Sequence, residues 1–193
     1  SSSITSATVR AAAYAAFDRI GTAQLLSRAG IALDGGTDAL LGPAKSQWME
    51  NPDLQPLRKY TELLLVEQDW AIAHLGLDLA DQLLYGLLYS HLDEAALMGG
   101  AGAYSLMAQH LSGWFTDHRR WVDALNKAWL NDAEHGEANR AAMAEAAARL
   151  LPAATEAALG VARIADSHLS CGAVDYVTAR AAELADTFAV KES

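Results

Sequence analysis

The chain has 193 residues, 52% hydrophobic and 20% charged, the balance of a globular protein, and at this size roughly 70% of the unfolded surface can be buried around one core. Its 14 basic and 24 acidic residues leave a formal charge of −10, which repels phosphate backbones and anionic headgroups and argues against nucleic acid and membrane as partners. The lone Cys171 cannot form an intrachain disulfide, which points to a reducing, cytoplasmic setting.

The opening SSSITSATVR has neither methionine nor a basic leader and reads as a piece of a longer polypeptide. Residues 8–28 then form an alanine-rich helix, with Val9, Ala13, Phe17, Ile20 and Gln24 at helical spacing, and Asp34-Gly35-Gly36 ends it in a turn. A loop with Gly42 and Pro43 leads to Asn51-Pro52-Asp53, which starts a second helix with a capping oxygen, a preset proline and an acid near the positive helix end. That helix carries Leu57, Tyr60, Leu64, Ala71 and Leu75 on one side and extends to about Tyr89, with a break or kink expected near Gln68-Asp69-Trp70.

From Ile72 to Tyr89 the pattern is apolar nearly all round, with a narrow polar line at Asp78, Asp81, Gln82, Tyr85 and Tyr89, so this helix is expected to be buried on most sides. The charge-free stretch after Ala95 is interrupted by Gly99, Gly100, Gly102 and Gly113 and makes a poor bilayer span. A third long helix follows, with Tyr104, Met107, Leu111, Trp114, His118, Trp121, Leu125 and Trp129 in the clearest amphipathic spacing of the chain. Asn139 can cap an alanine-rich helix to Leu150, Pro152 opens another to about His168, and Gly172 sets off a last one bearing Val174, Val177, Ala181, Leu184 and Phe188. The expected fold is all-α, a bundle of five or six helices without strands, in one domain over residues 1–193.

A di-iron bundle needs Glu-x-x-His steps, because residues i and i+3 share a helix face and can share a metal. The sequence contains none; the nearest pairs are Asp132-x-x-His135 and the reversed His91-x-x-Glu94. Asp78 and Asp81 are the more serious candidates, since carboxylates on an apolar helix must be paired, hydrated or functional. Pairing with Arg or Lys of a neighbouring helix or chain, or a place on a hydrated seam, is the expected arrangement. His74, His110 and His118 lie within long helices and read as packed core histidines. Nucleophile triads, phosphate loops and cysteine pairs are missing. Five tryptophans, Trp48, Trp70, Trp114, Trp121 and Trp129, serve either the core or an interface.

Several steps fall in a collinear order: Arg19-Ile20; Trp48, Asn51-Pro52, Gln55 and Arg58; Leu64-Leu65-Val66 before Asp69-Trp70; His118-Arg119-Arg120-Trp121; and Asn139-Arg140. In that order and spacing, from about Ser1 to Gly160, the chain resembles the β subunit of the hydroxylase in bacterial multicomponent monooxygenases. Leu54, Ala146 and Leu150 depart from that pattern at positions where the family often has tryptophan.

The resemblance implies a ferritin-like bundle forming the C-terminal part of a longer β subunit. It implies no cofactor in this chain, and a di-iron centre in a catalytic α subunit that, with a small γ subunit, completes an (αβγ)₂ hydroxylase for small hydrocarbons or phenols. A coupling protein and a reductase would be transient partners. Trp48, Arg58, Asp69, Trp70, Asp78, Asp81, Trp114, His118, Arg119, Trp121 and Trp129 become candidate interface or structural residues, with no catalytic or metal-binding residue assigned. On this register, the positions of the catalytic subunit's metal-binding steps fall at Ala13 and Ala16 and at His118 and Trp121. Two other readings remain: a catalytic carboxylate protein with ligands Asp78, Asp81, His110 and His118, or a free-standing helical binding module.

Overall fold

The computed structural model describes residues 2–37 and 39–188, with backbone only for residues 2–7. Among the described residues all regular structure is helical: α1 (Ser2–Leu33), α2 (Leu41–Glu50), α3 (Gln55–Leu65), α4 (Trp70–Gly86), α5 (Leu92–Met98), α6 (Gly102–Leu130), α7 (Gly136–Leu169) and α8 (Ala173–Phe188). A π-helical turn, Leu87–His91, joins α4 to α5 in one continuous rod, so the bundle has seven rods rather than five or six.

The extra rods come from two places. Gly42 and Pro43 lie in the first turn of α2, where a missing backbone N–H costs nothing because that turn's N–H groups have no partner in the helix. The expected break near Asp69 is real. The previous rod, α3, ends at Leu65, and Asp69 Oδ1 caps α4 by accepting from the N–H of Ala71 at 2.9 Å and of Ile72 at 3.4 Å. Asn51 does the same for a short 3₁₀ turn, Pro52–Leu54, by accepting from Asp53 N–H at 2.9 Å.

Pro152, by contrast, does not divide α7. A proline in a helix interior costs about 3 kcal/mol. Here buried Ala147, Leu151, Ala154 and Ala158 continue one packed face through it. Asn139 caps nothing: α7 already begins at Gly136, and the Asn139 amide reaches back to the Trp129 carbonyl at 2.9 Å.

The core follows from α7. Its alanine face allows α3, α4 and α8 to close on it, and Leu79, Leu83, Leu87 and Val177 fill the seams with no exposed surface. The approach is tightest at Gly160, where a Cβ would run into the Asp53 carbonyl. Across α3 and α4, the Tyr60 hydroxyl donates to the Gly76 carbonyl at 2.7 Å, and a Cβ on Gly76 would lie 2.5 Å from Leu64. The π turn leaves carbonyls without their usual helical donors. Tyr104 of α6 donates its hydroxyl to the Leu88 carbonyl, and His91 Nε2 meets the Cys171 carbonyl at 3.0 Å.

Helix α1 lies across α6 and α2 with Ala15 inward, while Val9, Tyr14, Phe17 and Ile20 are each more than half exposed. The apolar stripe predicted on this helix therefore faces outward. No helix among the described residues is long and apolar enough to cross a membrane.

Candidate functional site

Where α1, α4 and α6 meet, a cavity of about 160 Å³ is lined by alanines of α1 and by Arg19, His74, Asp78, Asp81, His118 and Trp121. Asp78 and Asp81 are 4% and 5% exposed. Three residues apart on α4, they share a face directed into this seam. Each carboxylate is met by an arginine of this same chain. Arg19 of α1 bonds Asp81 Oδ2, and Arg119 of α6 bonds Asp78 Oδ1 and, with its other nitrogen, Asp123. Gln82 donates to Asp78 at 3.3 Å and accepts from Arg180 of α8 at 2.8 Å, extending the network across the bundle.

Burial pushes the Asp78 carboxyl up to about 6, against the pull of Arg119, and the Asp81 carboxyl up to about 7, against the pull of Arg19. The histidines move the other way. Burial, with Arg19 and Arg119 close by, lowers His118 to about 4, and burial first and then the same two guanidiniums lower His74. Both imidazoles are therefore neutral at pH 7. The Trp121 indole donates to His118 Nδ1 at 3.1 Å, so the ring proton sits on Nε2, which faces Asp81 Oδ2 at 3.7 Å. His74 Nε2 is buried with no hydrogen-bond partner.

The sequence candidates separate into groups. Asp78, Asp81, His118, Arg119 and Trp121 converge at the seam, and Trp114 flanks it with its indole donating to Asp18 of α1 at 3.0 Å. Trp70 and Trp129 pack edge to face 4.9 Å apart at the far end of α4, beside its Asp69 cap. Trp48 and Arg58 lie apart. Trp48 is 38% exposed on α2, and Arg58 makes a surface pair with Glu62 at 2.8 Å.

Three contributors escaped the sequence reading as site residues: Arg19, known there only as half of an Arg-Ile step, His74, taken as core, and Arg180. Their partners lie far away in sequence, 62 residues for Arg19 and Asp81 and 98 for Arg180 and Gln82. No local spacing announces such pairs. His110, one of four ligands in the catalytic alternative, is exposed on α6 and does not line the cavity. Among the described residues no three or more His, Cys, Asp or Glu side chains are arranged to hold a metal ion.

Comparison with known proteins places this geometry in a lineage. The chain is 39% identical over 123 residues to the phenol 2-monooxygenase oxygenase component DmpL of Pseudomonas sp. (strain CF600), covering 62% of this chain and 37% of that protein. It is 33% identical over 129 residues to the corresponding component MhpL of Acinetobacter pittii (strain PHEA-2), covering 66% of this chain and 39% of that protein. The crystal structure of xenon-pressurised phenol hydroxylase from Pseudomonas sp. OX1 superposes with a TM-score of 0.76 at 28% identity, covering 89% of this chain and 51% of that one. The chain thus spans about half, or less, of the length of these relatives. The family described as Methane/Phenol/Alkene Hydroxylase matches residues 2–133, and the chain belongs to that family.

Proposed function

We propose that this chain is the non-catalytic, β-type subunit of a multicomponent hydroxylase, a ferritin-like bundle that braces a catalytic α subunit. The observation that carries the reading is the pairing of both seam carboxylates with arginines of their own chain. A carboxylate bonded to a guanidinium inside a protein is already neutralised. Binding a cation there would expel or strand an arginine, so these donors do not fit a di-iron centre, and Ala12, Ala15 and Ala16 of α1 supply none.

The iron, in this reading, belongs to the α subunit. The outward stripe on α1 supports a permanent partner, because exposed Val9, Tyr14, Phe17 and Ile20 suit a large apolar interface. The complex would include a γ subunit, engage a reductase and a coupling protein in passing, and hydroxylate a phenol or a small hydrocarbon. The names of the relatives favour phenol.

The test is the iron content and turnover of the purified complex carrying Asp78→Asn or Asp81→Asn. Both substitutions keep the side-chain shape, and iron per complex should match the wild type. Iron lost in proportion to either substitution, or stoichiometric iron bound by this chain alone, would overturn the scaffold reading.

A further inference from the structure

The aromatic residues of α4 and α6 form a file, and it is continuous. Trp70 lies 4.9 Å from Trp129, centroid to centroid; Trp129 is 5.7 Å from His74, and His74 is 5.9 Å from Trp121. Trp121 is 5.1 Å from His118, which stacks on Trp114 at 5.3 Å. Trp114 meets Tyr85 at 5.8 Å, and Tyr85 stacks on Tyr89 at 5.0 Å. At 1.5 Å per residue the file spans about 28 Å of the α4 rod. It begins at an indole that is 57% exposed and ends at a phenol that is 8% exposed.

Packing alone explains aromatic contacts, but the second feature of the file is not a packing requirement. Two of its inner indoles have a proton acceptor within hydrogen-bond reach. The Trp121 indole donates to neutral His118, and the Trp114 indole donates to the Asp18 carboxylate. The Tyr85 hydroxyl lies beside the Arg19–Asp81 pair, close enough to feel both charges. Removing an electron from an indole or a phenol turns its N–H or O–H into a strong acid. A base already in place lets proton and electron leave together and lowers the barrier to oxidation. Electron transfer also falls off exponentially with distance, so short hops between touching rings outrun one long jump.

We propose that this file is a one-electron relay that carries oxidising equivalents between the stacked Tyr85–Tyr89 pair and the exposed Trp70. Loss of an electron from Tyr85 to an oxidant sends its hydroxyl proton to Asp81. Trp114 then reduces the tyrosyl radical, which recovers its proton, while the Trp114 N–H proton passes to Asp18. Trp121 repeats the step with His118 as base and recovers its proton when Trp129 reduces it, and Trp129 and Trp70 carry the hole to the surface as indole radical cations that keep their N–H protons. A thiol or ascorbate there supplies the final electron and is itself oxidised. His74 and His118 fill the gaps between indoles as bridges. In the assembled enzyme the oxidant would be a high-valent iron centre of the α subunit, so that part of the inference rests on the proposed function. The relay would then discharge an iron centre that has failed to meet its substrate.

The test supplies its own oxidant, so its failure is separate from failure of the iron measurement above. A ruthenium polypyridyl label is attached to Ser90→Cys, beside Tyr89, in a Cys171→Ser background, on the protein in its native assembly. Light and a cobalt(III) quencher generate ruthenium(III), with cobalt(III) reduced to cobalt(II). Without thiol, oxygen traps the indole radical, and peptide mass spectrometry reads oxygenation at Trp70. The expected result is Trp70 oxygenation that is suppressed by thiol and slowed in deuterium oxide. It is mostly lost in Trp114→Phe and Trp121→Phe, and retained in Trp48→Phe, whose ring is outside the file. Circular dichroism identifies the variants that keep their fold. Undiminished Trp70 oxygenation in folded Trp114→Phe and Trp121→Phe, or damage confined to Tyr89 in the unsubstituted protein, would overturn the relay.

Discussion

His118 makes the fold sensitive to acid in a way that can be measured apart from everything else in the seam. In the folded chain its imidazole is held near 4, through burial first and then Arg19 and Arg119, whereas in the unfolded chain it titrates near 6.5. A depressed histidine means that the unfolded state takes up its proton first, so stability is intact above pH 6.5 and is lost as the pH falls towards 4. The gap is roughly two and a half pH units at about 1.4 kcal/mol each, or about 3 kcal/mol in full.

Asp78 and Asp81 act in the opposite direction. Their raised folded values mean that the native state binds protons first, so their contribution to stability grows as the pH falls from about 7 towards 4. A wild-type pH profile therefore mixes two opposed effects, and the informative quantity is a difference. His118→Gln keeps an acceptor for the Trp121 indole and cannot be charged. Urea unfolding followed by circular dichroism at pH 7.5 and pH 4.5 gives the stability gap between wild type and variant at each pH. The gap should move in favour of the variant by about 2.5 kcal/mol on acidification, because the carboxylate contributions cancel. A gap that stays constant would refute the neutral, buried imidazole and the proton placement that follows from it.

Other substitutions address the remaining supports. Arg19→Met alone should cost about 3 kcal/mol by stranding Asp81, whereas Arg19→Met with Asp81→Leu should return to within about 1 kcal/mol of wild type, read by a denaturant double-mutant cycle. Gly160→Ala should lower stability by about 2 kcal/mol or more, because its methyl meets the Asp53 backbone, while Gly21→Ala, with open space around it, should raise stability by about 0.5 kcal/mol; thermal midpoints report both. Leu83→Ala, at a position with no exposure, should cost about 3 kcal/mol through the cavity it leaves, measured by urea unfolding. Asp166→Ala should cost about 1 kcal/mol, since this carboxylate accepts from the N–H groups of Cys171, Ala173 and Val174 and so holds the start of α8, where amide exchange should quicken.

The parts of the fold that were legible are those where one helix writes its own pattern. The Trp114, His118, Trp121 spacing gave α6, and the break read at Gln68-Asp69-Trp70 is where the Asp69 carboxylate caps α4. Proline and glycine misled where position decides their cost: Pro43 sits in a first turn that needs no donor, and Pro152 is exposed on a helix whose opposite face is buried deeply enough to outweigh it. The stripe on α1 was visible as a stripe, but periodicity does not say which way a stripe faces; Ala15 and Arg19, on the other side, are the inward ones. At the site, the need for cationic partners of Asp78 and Asp81 could be deduced from apolar surroundings, yet the identity of Arg19 and the contribution of His74 depend on tertiary crossings. The file of rings was half visible, because the tryptophans of α6 share a face while Tyr85 and His74 enter from α4.

The alanine seam on α7 sets the mechanical character of the molecule. Alanine has no rotamers to lose, so closing Ala147, Ala154, Ala157, Ala158 and Ala162 against neighbouring rods immobilises backbone at almost no side-chain entropy. It also leaves nothing there to swing aside when a neighbour pushes. A helix packed in this way passes strain along its length, and the give has to come from longer side chains such as those of Arg19 and Arg119 in the α1–α4–α6 seam.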